Sequence, residues 1–494
     1  MFSSQKQPVL SLFALFGHKN NISVYNTFRL AVTGVPLRHK NLYDMTPPAW
    51  TRLDNASLIY PACRTKRYAT TFRMSVALNE AVSKEVLGRA LEITADRFPS
   101  FCYGLDRGFF WWILRRLENK PTLSPAGGME LFDFRKNGGF LFKVAAVGNE
   151  IVLDVFHALT DGHGAMTFLL SLTAQYLRMR YGVQIPSSGW ILDPDQEPSG
   201  SEIEDSFDHF SGIKGELDKE TKAYHLGGTA GRHDVHDGVR VSLPVDWIRQ
   251  KTRGLGCTVT ELITAVMLKS LQEVRRVQDP DSALTSLKIE VPVNLRPIFG
   301  SVTLRNFSSY VHLGIDVRYG DLPLCDILQE VKRQKQLFAQ PGRLTTRVAG
   351  NVALEDNPAI RRIPLFIKKP VINYIKTHKG DLYCSQTMSN IGIIDLPEEM
   401  RRYVKDVDFI LGRPKIRPGA VGCVSYGGRL NLNFARRIVE ADFEARFIAT
   451  MRELGIEAEV RDYQIRSGAS TTPVPPTSAP RWARMHLLRR LLLI

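Results

Sequence analysis

Two apolar, β-branched-rich runs, Leu141–Val147 and Ile151–Phe156, flank Gly148-Asn149. Runs of that length either side of a two-residue turn predict a β-hairpin. Further along, Met166, Leu169, Leu170, Thr173 and Leu177 recur at helical spacing within Ala165–Tyr181, which predicts a helix. Between hairpin and helix lies His157-Ala-Leu-Thr-Asp161-Gly162. A polar side chain at such a strand-to-loop-to-helix junction is held rigidly on one side and left open to a ligand on the other.

The same patterning extends over most of the chain. Phe72–Leu78 alternates as a strand does, and Ser83 is placed to cap a helix with Val86, Leu87, Ala90, Leu91, Thr94 and Phe98 on one face. The aromatic cluster Phe109-Phe-Trp-Trp112 reads as a core strand in preference to the wall of an acyl pocket. Residues 186–235 then turn rich in Pro, Ser, Gly, Asp and Glu, the composition of a linker or mobile lobe. Beyond them, Val239–Val245 and Leu287–Val293 read as strands, and Thr258-x-x-Glu261 forms a capping box ahead of an apolar helical face. Arg305-Asn306-Phe307 opens a strand running to Val317, Leu324–Phe338 is an amphipathic helix, Gly427-Gly428 turns a hairpin, and a helix from Glu440 to Leu454 closes the pattern. Strands and helices interleaved in two similar halves imply an α/β fold of two sandwich-like subdomains. The expected boundaries are a subdomain over 45–190, a linker over 191–235 and a second subdomain over 236–466. Residues 1–44 form an N-terminal extension outside the fold, with Met45 as an alternative start. Residues 467–494 comprise a Ser/Thr/Pro linker and a basic, Leu-rich tail.

A chain of 494 residues with 44% hydrophobic and 23% charged residues has the composition expected of a soluble globular protein, and its length suits two domains or one large α/β unit. No apolar run reaches the roughly 18 residues of a membrane span. The six cysteines, 63, 102, 257, 325, 384 and 423, lie far apart with no CxxC pair, so inert thiols in a reduced, cytoplasmic setting are expected. The net charge of +15 is concentrated at the ends: residues 1–44 carry +4 (five Lys/Arg, one Asp) and 467–494 carry +4 (four Arg), leaving +7 on the body. No nucleic-acid signature accompanies it. A basic body suits an anionic small ligand such as coenzyme A. The 14-residue Arg/Leu-rich end is too short to span a bilayer, and its arginines scatter around a helical wheel, so it is expected to be a disordered or loosely associating tail, the place where any peripheral membrane contact would be made. His225, His233 and His236 with Asp234 and Asp237 are read as a polar loop rather than a metal site.

The HxxxDG segment, in its strand–loop–helix setting, resembles the active-site motif of the chloramphenicol acetyltransferase-like acyltransferases, a superfamily that includes alcohol acetyltransferases, wax ester synthases, polyketide-associated acyltransferases and peptide-synthetase condensation domains. Several of these carry a doubled histidine; here Phe156 stands at the first position and His157 at the second. Trp50-Thr-Arg-Leu-Asp54-Asn55 and Ile59-Tyr60-Pro61 resemble the opening of the alcohol acetyltransferase-like branch. Val291-Pro-Val-Asn-Leu-Arg296 resembles a PV-x-LR stretch of related acyltransferases. The resemblance covers about 50–465 and implies two subdomains meeting at a channel with the histidine inside it.

Acyl transfer from a thioester to a hydroxyl requires a base and a donor for the oxyanion. His157 is the expected general base, and no GxSxG elbow is present, so direct attack is expected. Asp161 is assigned to the catalytic pair: touching His157, it would orient the ring. The resemblance implies a structural Asp instead, paired with Arg296. Gly162 is expected to permit a tight turn or a positive φ. Ser389 and Asn390, in a Ser-Asn-Ile-Gly stretch, are the oxyanion candidates. The expected activity is acyl-CoA-dependent acylation of an alcohol, with acyl-CoA as co-substrate and neither cofactor nor metal. The alternatives are a carrier-protein-dependent or amide-forming condensation-type transferase, and a non-catalytic binding module of the same fold.

Overall fold

The computed structural model describes residues 47–466 apart from 66–67, 69, 126–128, 130–132, 217–219 and 234. The expected extension 1–44 and tail 467–494 lie outside the described residues.

Three sheets organise the chain. A small one joins β1 (Trp50–Arg52), β4 (Trp112–Arg116) and β3 (Tyr103–Arg107). The second, all antiparallel, runs β11 (Val404–Leu411), β2 (Thr71–Leu78), β6 (Glu150–Phe156), β5 (Phe142–Val147). The third has seven strands in the order β14 (Glu459–Arg466), β7 (Val235–Pro244), β13 (Arg429–Arg436), β12 (Gly419–Tyr426), β10 (Gln386–Ile393), β8 (Ser286–Asn294), β9 (Ser308–Asp316). In it, β10 runs parallel to both β12 and β8, and the other pairings are antiparallel. Helices Lys84–Arg97 and Gly162–Tyr181 pack together in the first lobe. Helices Val259–Gln278, Leu324–Phe338 and Asp442–Glu453 pack in the second. Each lobe has its own apolar core, as an α/β layer architecture requires.

The predicted hairpin is β5–β6, with Val147 opposite Glu150 and Gly148 at φ +59° in the turn. Ser83 caps its helix and the Thr258–Glu261 capping box is complete. Three expectations change. Only Trp112 of the aromatic cluster is core; Phe109 and Phe110 are 68% and 42% exposed, because β4 begins at Trp112 and the two phenylalanines form the loop before it. Residues 404–411, assigned by sequence to the second subdomain, pair with β2 in the first lobe's sheet. The same strand is fastened to the seven-stranded sheet by Asn431 Nδ2 and Asn433 Nδ2 of β13, which donate to the Val407 and Phe409 carbonyls at 3.1 and 3.0 Å. Finally, the segment expected to be a linker is strapped down: Phe207 and Phe210 are buried with Leu344, Val348 and Val352 beneath helix Pro341–Asp356, and Arg97 holds Glu202 at 2.6 Å.

Candidate active site

β6 delivers His157 to the junction of the lobes. Strand alternation decides what faces it. Phe156, where relatives of the motif carry a first histidine, is wholly buried against Phe134 on the core side. His157 emerges on the other, its amide donating to Thr70 O at 2.9 Å. The Tyr60 ring stacks on the imidazole with centroids 4.4 Å apart, and Phe72 meets it edge-on at 5.1 Å.

Asn306, from the far lobe, fixes the ring's protonation pattern. His157 Nδ1 lies 3.1 Å from Asn306 Oδ1. The amide nitrogen of Asn306 donates to Ser57 Oγ at 2.8 Å and Asp54 Oδ2 at 3.3 Å, so its oxygen is the end that faces the imidazole. That oxygen only accepts, and Nδ1 therefore carries the proton. Nε2 is left with its lone pair and no protein hydrogen bond among the described residues. Burial lowers the His157 pKa from its usual value; the His157 backbone, Asp161, Asn306 and Asp54 oppose this only in part. The ring is thus a neutral imidazole with one basic nitrogen free, able to take a proton from a bound hydroxyl.

Asp54 anchors the relay behind Asn306. It is fully buried, accepts from Ser57 N at 2.9 Å and from Ser57 Oγ, and has Arg305 Nε 3.9 Å away. Burial raises its pKa despite Arg305 and these hydrogen bonds. Burial likewise raises that of Tyr60, with the Asp54, Glu290 and Asp161 charges adding to it, so the phenol stays neutral. Asp54, Ser57, Tyr60 and Asn306 were not among the sequence's site candidates. The only signal was the quoted Trp50–Pro61 and Arg305-Asn306-Phe307 stretches, which sequence does not bring together.

Asp161 does not touch His157 by any hydrogen bond of the described residues. Its two oxygens accept from Arg296 Nη1 and Nη2 (2.8 and 3.1 Å), Phe307 N (2.9 Å), and His163 N and Gly164 N (3.1 and 3.2 Å). The last two make it the N-cap of helix Gly162–Tyr181, which therefore starts three residues before the predicted Ala165. Arg296 is saturated as well, donating also to Thr303 O, Arg305 O and Asn294 Oδ1. Burial would raise the Asp161 pKa, but Arg296, the Phe307 amide and His163 together hold the carboxyl below the usual range. With its lone pairs so committed, Asp161 is an anchor that clamps the motif loop to the second lobe, the pairing the family resemblance implied, and it does not orient the imidazole.

Gly162 has no positive φ. Its lack of a side chain makes room instead: a Cβ would meet Ile391 Cδ1 at 2.5 Å. Gly164 is tighter still, with Thr160 Oγ1 at 2.2 Å and Leu304 O at 2.3 Å from such a Cβ. Of the oxyanion candidates, Asn390 is used structurally: Nδ2 donates to Thr260 Oγ1 at 3.3 Å and Oδ1 accepts from Gly392 N at 2.9 Å. Ser389 is half-buried two residues before Ile391 on the strand that abuts the motif loop. His163 tilts against Trp190 at 4.9 Å, and burial lowers its pKa to about 4.

His225 and His236 lie apart, one bound to Cys384 O at 2.9 Å and the other stacked on Tyr463. Glu290, His312 and Cys384 are close enough to share a metal ion. A cation already sits among them: Arg417 Nη1 is 3.1 Å from Glu290 Oε1 and 3.0 Å from Cys384 Sγ. Burial would lower the His312 pKa, but the neighbouring Cys384, Glu220 and Glu290 groups, Glu220 hydrogen-bonded to Nδ1 and Glu290 ion-paired at 3.6 Å from Nε2, push it up to about 11. The three groups are thus held in an ion cluster with Arg417. A separate cleft of about 360 Å³ opens beside β1 and the 200–208 strap, lined by Trp50, Arg52, Asp205, Arg305 and Glu355. His157 is not part of its wall.

No protein-family profile matches the sequence. The chain is 23% identical over 404 residues to an uncharacterised protein of Mycobacterium tuberculosis, covering 77% of this chain and 90% of that one. Among solved structures it is similar to polyketide synthase associated protein 5 from Mycobacterium tuberculosis (15% identity, TM-score 0.53, 81% of this chain and 96% of that one). It is also similar to F. graminearum TRI101 complexed with coenzyme A and deoxynivalenol (12%, TM-score 0.56, 83% and 99%). A third is the first condensation domain of the calcium-dependent antibiotic synthetase (15%, TM-score 0.52, 82% and 96%).

Proposed function

From the two-lobed α/β fold of the chloramphenicol acetyltransferase-like acyltransferases and condensation domains, which this chain has, we propose that the protein is an acyltransferase that moves an acyl group from acyl-CoA to an alcohol. The single observation that carries the reading is the His157–Asn306 hydrogen bond, which leaves a neutral imidazole presenting Nε2 at the lobe junction. The acceptor hydroxyl donates to Nε2 while its oxygen attacks the thioester carbonyl carbon. The tetrahedral oxyanion then collapses, the carbon–sulfur bond breaks, and the departing thiolate takes the proton from the imidazolium. Ser389 is the remaining side-chain candidate for the oxyanion donor, since the Asn390 amide is engaged elsewhere. Coenzyme A as donor is supported by TRI101, whose structure in this fold holds coenzyme A.

The test is thiol release from acetyl-CoA and longer acyl-CoAs over a panel of alcohols and amines. Release is expected to require an alcohol and to fall about 10²–10⁴-fold in His157→Ala. Turnover of the same acyl groups only on a carrier protein would replace coenzyme A as donor. Silence with every donor, in a folded protein, would overturn the enzyme reading in favour of a binding module.

A further inference from the structure

Helix Leu365–Ile375 is amphipathic with its faces reversed. Its inner side buries Leu365 and Lys368 and packs Ile372 against the first lobe's core. Its outer side shows Phe366 (62% exposed), Ile367 (47%), Val371 (51%), Tyr374 (60%) and Ile375 (51%). The spacing 366/370/374 and 367/371/375 lays these on two adjacent i,i+4 ridges with Pro370, one continuous apolar stripe. Lys368 extends the stripe sideways: Nζ donates to Phe110 O at 3.1 Å and sits 3.3 Å over the Trp111 ring, while Leu365 N donates to Phe109 O at 2.8 Å. The exposed Phe109 and Phe110 are thereby pinned beside the helix.

Isolated exposed apolar residues are ordinary, but seven large ones gathered on two joined elements mark a surface that something covers. Charge says what. Between residues 357 and 380 the chain carries Arg361, Arg362, Lys368, Lys369, Lys376 and Lys379 and no Asp or Glu; of these, Lys368 is turned inward, and Arg361 and Lys376 are paired with Asp356 and Asp381. Arg362 and Lys369 are exposed on the flanks of the stripe. Aromatic and aliphatic side chains facing out with basic residues at their border are complementary to an interface that is apolar within and anionic at its rim. Among the described residues no single helix is long and apolar enough to cross a membrane, so the contact would lie in the plane of the surface.

We infer that helix Leu365–Ile375 and the Phe109–Phe110 loop form a docking face for an anionic phospholipid bilayer. The face is close to the candidate active site, since the same helix packs on Ile59–Cys63, which carries Tyr60 against His157. Docking there sets the lobe junction next to the acyl-chain region of a membrane. This placement is independent of the Arg/Leu-rich C-terminal tail, where sequence alone suggested membrane contact.

The experiment is vesicle co-sedimentation of the full chain with phosphatidylcholine vesicles and with vesicles containing phosphatidylglycerol. Comparison proteins are the variant Phe366→Ser/Val371→Ser/Ile375→Ser, the variant Arg362→Gln/Lys369→Gln, and the tail variant Leu488→Ser/Leu492→Ser. All the substituted side chains of the first two are exposed, so circular dichroism is expected to match the parent. Binding is expected to phosphatidylglycerol vesicles, to weaken at least about 10-fold in the apolar variant, to weaken and lose salt sensitivity in the basic variant, and to be unchanged in the tail variant. No binding by the parent, equal binding by the apolar variant, or loss only in the tail variant would each overturn the proposal. So would a lipid-free dimer abolished by the apolar variant, which would make a second copy the occupant.

Discussion

The decisive residue outside the motif is Asn306. It lies 149 positions from His157, yet its oxygen is what places the proton on Nδ1. Asn306→Ala is expected to lower kcat on the order of 10²-fold with KM little changed, by analogy with a wrongly tautomerised base. A distinguishing readout is the acid limb of the kcat/KM profile. The proposed reaction requires neutral His157, whose pKa is already lowered by burial, and Asn306 is one of the groups that raises it. Removing Asn306 is therefore expected to move the limb to lower pH; a limb that stays in place, or shifts upward, would contradict the assignment. His157 and the Asp161–Arg296 pairing were legible because a compact motif and a family resemblance point to them. Asn306, Ser57 and Asp54 were not, because an ordinary Asn-Phe strand opening and an Asp-Asn turn look the same whether or not they meet.

Among the elements, the strand–loop–helix carrying the motif was read well, since alternation and 3.6-residue spacing both report burial of one face. Its loop was not. Asp161 caps the helix, and the two small residues following it are set by what presses on them, Ile391 on one and Leu304 on the other. Gly164→Ala is expected to destabilise the fold by about 1–3 kcal/mol through overpacking and to displace the Asp161 clamp with it. Denaturant midpoints of the parent and variant check this, and an unchanged midpoint would mean that the loop yields freely. Helix Leu365–Ile375 escaped notice for the opposite reason. Its broader apolar side faces outward and one of its two lysines, Lys368, inward, so the pattern carries no sign of which face is core.

At the scale of the molecule, the two lobes are joined by more than the motif clamp: β11 crosses into the first lobe's four-stranded sheet, and the 186–235 segment is bound down across Glu202, Phe207 and Phe210. The Glu220–His312–Glu290–Arg417 cluster ties β8, β9 and the approach to β12. Because the His312 pKa rises from 6.5 to about 11 on folding, the folded state holds a proton that the unfolded chain releases above pH 6.5. The stabilisation is complete below 6.5 and is lost as pH rises toward 11. The melting temperature of the parent is expected to exceed that of His312→Gln by a margin that shrinks from pH 6 to pH 10. A constant margin would show that another group titrates.

What the sequence by itself determined was the local grammar: strands, capped helices and the strand–loop–helix that carries HxxxDG. These depend on periodicity and on hydrogen bonds between near neighbours, which a linear reading can follow. What only the tertiary structure decided was which distant residues converge. It used the carboxylate of Asp161 on Arg296 rather than on His157. It supplied Asn306 to set the tautomer, carried β11 across to the other sheet, and turned an apolar helix face outward. Each of these is a choice among partners far apart along the chain, and such a choice is settled by which buried groups find hydrogen bonds and which surfaces exclude water, not by spacing.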